Sequence, residues 1–450
     1  MTDLDLVIAD GEVVFPHGTQ RTSLGIKDGR VALIGELGER AKDVPRLDAA
    51  GKWVLPGLVD AHVHFRDPGA EHKEDLRSGS MAAAVGGVTS VMDMPTTSPP
   101  TTTPEAFAQK RSLIEEKAHV DIAIQAAIGD HPEHMETLAR MGAVSFEIFL
   151  ADIPPPLLVA DTGRLVDLLE RLSAVGVVVG ITPGDDGVIA ARTANVNRHG
   201  RTDPLSFAET RPPLSEALGV VKAILAAEAA GAEIHFRQIS CRASLEALRR
   251  GKDRLKGITA EAMVHHLTLD QGTLEEQGPF AKMIPPLRRP EDVEALWAAL
   301  GEGLIEIVAT DHAPHPPGEK EQGLEDIHQA PGGIPGVQTF LPLMLESVHQ
   351  GRLSLERLVA CCAEIPARRF GIFPQKGHIG LGADADLVIV NPRGEQVIDN
   401  ATQFSKAGRT PYHGWRTHGS IECTLLRGRV IARDGQVQGA PTGKFIARAN

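Results

Sequence analysis

The chain has 450 residues, with 46 basic and 59 acidic side chains and a formal net charge of −13. That length exceeds one average domain and suits a large barrel with a smaller unit beside it. The acidic balance argues against a nucleic-acid or anionic-membrane surface, although small anions held by local arginines remain open. Four cysteines with no CxxC pair make no disulfide framework, no run approaches the roughly 20 apolar residues of a membrane span, and the acidic N-terminus is unlike a secretory leader. A reducing cytoplasm is the expected compartment.

In chain order, the first fifty residues read as short strands: Leu6–Ala9, Glu12–Phe15, Ser23–Ile26 and Val31–Ile34, separated by Asp-Gly-type turn signals. The period then changes. Apolar runs at Val88–Met92, Val120–Ile124, Val177–Val179 and Ile305–Ala309 alternate with helical stretches at Thr103–Ala118, Leu214–Ala230, Ser244–Arg250 and Pro290–Gly301. Alternating β and α segments imply βαβ units and a parallel sheet, here an α/β fold of the (β/α)8 TIM type with its active end at the strand C-termini. The C-terminal seventy residues return to short strands, from Ala385–Val390 to Arg429–Ala432. Neither terminal segment has enough strands to bury alone. The expected division is therefore 1–55 and 376–450 as one composite β-sandwich, with 56–375 as the barrel.

His62 and His64 close the first barrel strand. Residues i and i+2 of a strand share a face, so the two imidazoles can aim at one divalent metal. The alternative is a pair of strand histidines satisfied by local hydrogen bonds.

Several segments taken together resemble the cyclic amidohydrolases of the amidohydrolase superfamily: dihydroorotase, hydantoinase/dihydropyrimidinase and allantoinase. They are Pro56 to Gly69, with His62-Val63-His64-Phe65-Arg66-Asp67-Pro68-Gly69; Gly86-Gly87-Val88-Thr89; Pro285-Pro286-Leu287-Arg288; Ala309-Thr310-Asp311-His312-Ala313-Pro314-His315; and Gly380 to Leu387. They span the chain in the family's order and side with dihydroorotase-type sequences. The resemblance implies a metal-dependent hydrolase that opens a C–N bond of a cyclic amide, imide or ureide. It assigns metal binding to His62, His64, Glu147 and Asp311, and proton transfer to Asp311. Substrate contacts fall to Arg66, Thr96, His315 and Gly333. Dimers or tetramers are common in the family, so a homodimer or homotetramer is expected.

The departures narrow this reading. Glu147 stands where hydantoinases carry a carboxylated lysine, and it brings its own carboxylate. The two histidines that hold a second metal in binuclear members are replaced by Thr182 and Gln238, while His235 lies at an odd offset from Gln238 and reads as a packed histidine. One divalent ion is therefore expected, Zn²⁺ by donor type, with Mn²⁺ or Fe²⁺ as alternatives. Thr96 and Ile284 replace two substrate-reading asparagines, which disfavours dihydroorotate itself and favours another ring with one acidic group. His265 and His266 are candidates for oxyanion stabilisation, the alternative being helix capping or packing behind the metal ligands. The competing expectation is a non-catalytic dihydroorotase-like subunit that scaffolds a partner enzyme.

Overall fold

The computed structural model describes residues 4–41 and 43–449. Residues 1–3, 42 and 450 of the expected terminal segments lie outside the described residues. Among the described residues seventeen strands follow one another: β1 (Leu6–Phe15), β2 (Gly18–Lys27), β3 (Arg30–Ile34), β4 (Arg46–Asp48), β5 (Trp53–Pro56), β6 (Leu58–Val63), β7 (Val88–Asp93), β8 (Asp121–Ala127), β9 (Ser145–Phe149), β10 (Val178–Thr182), β11 (Ile234–Phe236), β12 (Thr259–Met263), β13 (Ile307–Ala309), β14 (Leu387–Val397), β15 (Arg416–Leu426), β16 (Arg429–Arg433) and β17 (Gln436–Val437).

Strands β6 to β13 pair in sequence order as one parallel eight-stranded sheet. The sheet curls until Val63 meets His312 in a parallel bridge, with His64 N–H donating to His312 O at 2.8 Å. Helices cover the outside. Pro104–Lys117 starts at the Thr103 cap and Pro213–Ala230 follows the apolar periodicity of its segment. The helix expected at Ser244–Arg250 runs longer, from Arg242 to Arg254. Both faces of the barrel strands are buried, so they show no alternation of buried and exposed residues.

The two chain ends build the second unit together. β5 pairs with β14 antiparallel and with β1 parallel, joining them in one hydrogen-bonded nine-stranded sheet. The Asp10-Gly11 signal reads as a turn in the sequence, yet the chain continues through it as one strand. Asp10 adopts φ 58° and the register shifts between Ile8 and Gly11, a bulge in place of a hairpin. The last residues leave this sheet. Gly443 to Ile446 run beside β8, where Ile122 N–H donates to Lys444 O at 2.9 Å and Ile446 N–H donates to Ile122 O at 3.0 Å. There the tail satisfies backbone groups of β8 ahead of its pairing with β9.

One buried cation locks the two units. Lys376 Nζ lies 2.8 Å from Asp384 and 2.7 Å from Asp386, which precede β14, and also bonds Asp121 at the start of β8. Arg427 adds a second positive charge on Asp121. Burial would lower the Lys376 ammonium, but the three carboxylates outweigh it and push it up. The three aspartates are close enough to one another to hold a cation, and the ammonium already fills that role.

All four cysteines are buried free thiols, and among the described residues no helix is long and apolar enough to cross a membrane.

Lys376→Met is expected to leave buried carboxylates uncompensated and to cost about 3–5 kcal/mol of stability. Chemical denaturation reads this as a lower midpoint; an unchanged midpoint would show that Arg427 alone suffices.

Candidate metal centre

The C-terminal ends of β6, β11, β12 and β13 converge on a group of three donors, His62, His64 and Asp311, whose ligand atoms lie within 4.8 Å of one another. The strand alternation works as expected for the histidine pair. His62 Nε2 lies 3.4 Å and His64 Nε2 3.0 Å from the same oxygen, Asp311 Oδ1. That oxygen is buried and has no hydrogen bond of acceptable geometry. Asp311 sits just past β13 at φ 47°, a turn that swings its carboxylate over the barrel mouth.

The far nitrogens are anchored. His62 Nδ1 lies 2.7 Å from Glu261 Oε1. An ionised carboxylate only accepts, so Nδ1 carries the proton and the Nε2 lone pair is left for a metal. His64 Nδ1 lies 2.8 Å from Thr96 Oγ1, which holds the second ring the same way. The Thr96 hydroxyl, expected from the resemblance to face substrate, is thus engaged with a candidate ligand.

Glu147 is not part of the converging group. Its carboxylate accepts from Arg237 Nε at 2.9 and 3.1 Å. Arg237 is fully buried, and its Nη1 donates to Glu261 Oε2 at 3.0 Å. His235 also reaches Glu261 Oε2, at 3.1 Å, in the layer beneath the histidine pair. Gln238, in the slot expected of a histidine, bonds Asp311 Oδ2 through its amide N–H and reaches Ile284 O at 3.2 Å. Thr182 Oγ1 is buried without a partner.

These contacts set the charges. Burial alone would raise the Asp311 carboxyl, but His62 and His64 outweigh it and hold it at about 2. Burial keeps His64 neutral, down at about 4. Burial also opposes ionisation of Glu261, yet Arg237, His235 and His62 hold it well below the usual carboxylate range. Glu147 is pushed up, chiefly by burial, with the nearby Glu261 charge adding to it. The anchored imidazoles and the unpartnered Asp311 oxygen fit one metal ion bound by two nitrogens and a carboxylate, with a further position open.

The substrate-side residues differ in their freedom. The Arg66 backbone is at φ 61°, and its buried Nε has no partner. His315 Nδ1 lies 2.8 Å from Glu319, and burial together with the Arg66 charge pushes the ring down to about 3. Gly333 N–H donates to Lys282 O at 3.0 Å, and its carbonyl accepts from Lys320 Nζ at 2.8 Å, so both of its polar groups staple the loop. His265 is buried with both ring nitrogens unpartnered, while His266 Nε2 lies 3.2 Å from Pro285 O. A cavity of about 30 Å³ lined by Gln238, Ile284 and Arg288 opens beside Asp311's amide partner. A far larger one, about 1080 Å³, lies around Arg171 and Phe445 and is lined by none of these residues.

Sequence reasoning missed both Arg237 and Glu261. A signal was present: Ile234-His235-Phe236-Arg237 places a charged side chain inside a buried strand, which requires a partner.

Thr96→Val keeps the shape but removes the His64 anchor. It is expected to weaken divalent-metal affinity about 10–100-fold, measured by competition with a chromogenic chelator; an unchanged affinity would show that His64 needs no anchor.

The family model described as "Amidohydrolase family" matches residues 53–431. A dihydroorotase of Halobacterium salinarum is 38% identical, covering 98% of each chain. An allantoinase of Rubrobacter xylanophilus is 34% identical, covering 99% of this chain and 98% of that one. Among solved structures, the L-hydantoinase (dihydropyrimidinase) of Arthrobacter aurescens superposes with a TM-score of 0.96 at 31% identity, covering 99% of this chain and 100% of that one. With a family match across most of its length and relatives of this identity along nearly all of it, the chain belongs to the amidohydrolase family.

Proposed function

We propose that this protein hydrolyses a C–N bond of a small cyclic amide, imide or ureide bearing an acidic group, with one divalent metal ion held by His62, His64 and Asp311. The observation that carries the reading is the convergence of two anchored imidazoles on an Asp311 oxygen that has no hydrogen bond of its own. The names of the relatives, dihydroorotase, allantoinase and hydantoinase, support the class of substrate.

A divalent ion bound there supplies a water whose pKa falls toward neutrality, making hydroxide available. The chain's own groups do the rest. Asp311 accepts the proton of the attacking water and returns it to the leaving nitrogen. Gln238 fixes the Asp311 carboxylate through Oδ2. Neutral His265, with its unpartnered ring, offers an N–H to the developing oxyanion. The Arg66 guanidinium presents its fork to a carboxylate, the geometry in which arginine binds most strongly. Thr96 is occupied by His64, and Ile284 has no polar side chain, so the ring itself is read by few side-chain hydrogen bonds. That combination favours an acidic substrate other than dihydroorotate.

Metal-stripped protein titrated with Zn²⁺ should bind about one ion per chain and then hydrolyse members of a panel of hydantoins, dihydropyrimidines, lactams and imides, with acidic members preferred. A chain that binds no Zn²⁺ and turns over nothing would instead be a non-catalytic subunit.

Arg66→Ala should raise KM and lower kcat/KM by roughly 2–4 kcal/mol, the scale of a lost buried charged pair, with metal content unchanged. Equal kinetics on acidic and neutral substrates in the unaltered protein would remove the carboxylate from the scheme.

A further inference from the structure

Resting on that metal-site reading, we infer that Arg237 is a positioning residue that acts as a fixed internal cation. It withdraws Glu147 from metal coordination, sets His62 through Glu261, and restricts the barrel to a single metal ion.

The guanidinium lies across the barrel axis with donors committed to four other strands. Nε bonds both oxygens of Glu147 on β9. Nη1 bonds Glu261 on β12 and, at 3.2 Å, the Ala61 carbonyl on β6. Nη2 bonds Gln125 Oε1 on β8. Gln125 is itself held, since its amide donates to Ala61 O and Met92 O, both at 3.1 Å, and Ser145 Oγ donates to its oxygen at 2.6 Å. The Phe370 ring lies beneath, 5.0 Å from the guanidinium carbon. No water-exposed direction is left to the side chain.

Glu147 is clamped from its other side by the absence of a side chain on β10. A Cβ at Gly180 would fall 1.9 Å from Glu147 Oε1, so the carboxylate occupies the space above that glycine. A second divalent ion drawn to Glu147 would meet the guanidinium at contact distance with no solvent to screen the repulsion. Thr182 and Gln238, which stand where the resemblance leads one to expect the histidines of a second metal, offer a hydroxyl and an amide. Arg237 therefore supplies the compensation that a metal would otherwise bring to Glu147. Through Nη1 it also fixes the Glu261 carboxylate whose other oxygen holds His62 Nδ1.

Co²⁺ titration of the full metal-stripped chain, followed by visible absorption and by equilibrium dialysis, tests this without relying on turnover. The unaltered protein should take up about one Co²⁺. Glu147→Gln, which can still accept from Arg237 through its amide oxygen, should keep that stoichiometry and the Co²⁺ spectrum, with affinity changed less than about tenfold. A changed spectrum, or a loss of about tenfold or more, would make Glu147 a ligand and overturn the inference; the threshold is the lower bound typical of ligand-orienting contacts. Arg237→Met should bind a second Co²⁺ that is lost again in the Arg237→Met/Glu147→Gln double variant, whereas Arg237→Lys should stay at one. Folded Arg237→Met protein that stays at one ion overturns the inference, and if that variant does not fold, the Glu147→Gln arm decides alone. If the unaltered chain binds no Co²⁺ but Arg237→Met gains one, the hydrolase reading fails while the internal-cation inference stands. No Co²⁺ in either overturns both.

Discussion

A carboxylate buried where water cannot reach must meet a positive charge, a hydrogen-bond donor or a metal, and much of this protein follows from that constraint. Two lysine- or arginine-centred knots satisfy it at different depths. In the barrel interior Arg237 gathers Glu147, Glu261 and Gln125 from three strands that are distant in sequence. Between the barrel and the terminal sheet, Lys376 gathers Asp121, Asp384 and Asp386. The first knot leaves Asp311 outside it, facing the histidine pair. The second leaves none of its aspartates free for a metal, although they are as close together as ligands would be. Clustering alone does not distinguish a metal centre from an ion-pair knot; a resident cation does.

The same constraint explains how the site can differ from the pattern expected of it and keep a defined geometry. The Gln238 amide bonds the second Asp311 oxygen and orients the aspartate from the position where the resemblance leads one to expect a histidine. Thr96 likewise supports His64 in place of reading a substrate ring. Residues that look like losses when the family pattern is laid on the chain are members of a hydrogen-bond network built around the three remaining donors.

Legibility in the sequence followed the range of the interaction. Helix and strand periods were readable because they depend on neighbours a few residues apart: Thr103 caps the helix at Pro104, and His62 and His64 share a face by simple alternation. The Asp10-Gly11 signal misled because the same left-handed residue serves a turn or a bulge, and only pairing with β2 selects between them. Glu147 was read as a ligand from its place in a motif. Its partner, Arg237, lies 90 residues away, and nothing local announces that the two side chains meet. The C-terminal tail falls within the segment 376–450 expected to build the terminal unit, yet its backbone partners are on β8.

The sequence by itself determined the alternation of strand and helix, the return of the chain to β-structure at its end, and the presence of His62, His64 and Asp311 at the ends of strands, because periodicity and motif spacing are properties of adjacent residues. Tertiary structure alone decided which carboxylates face a guanidinium and which face open donors. That choice depends on the closure of the barrel, which brings β6 against β13 and sets β8, β9, β11 and β12 around one buried side chain. Charge compensation in a dry interior is a matter of distance in space, and distance in space is what the closed sheet supplies.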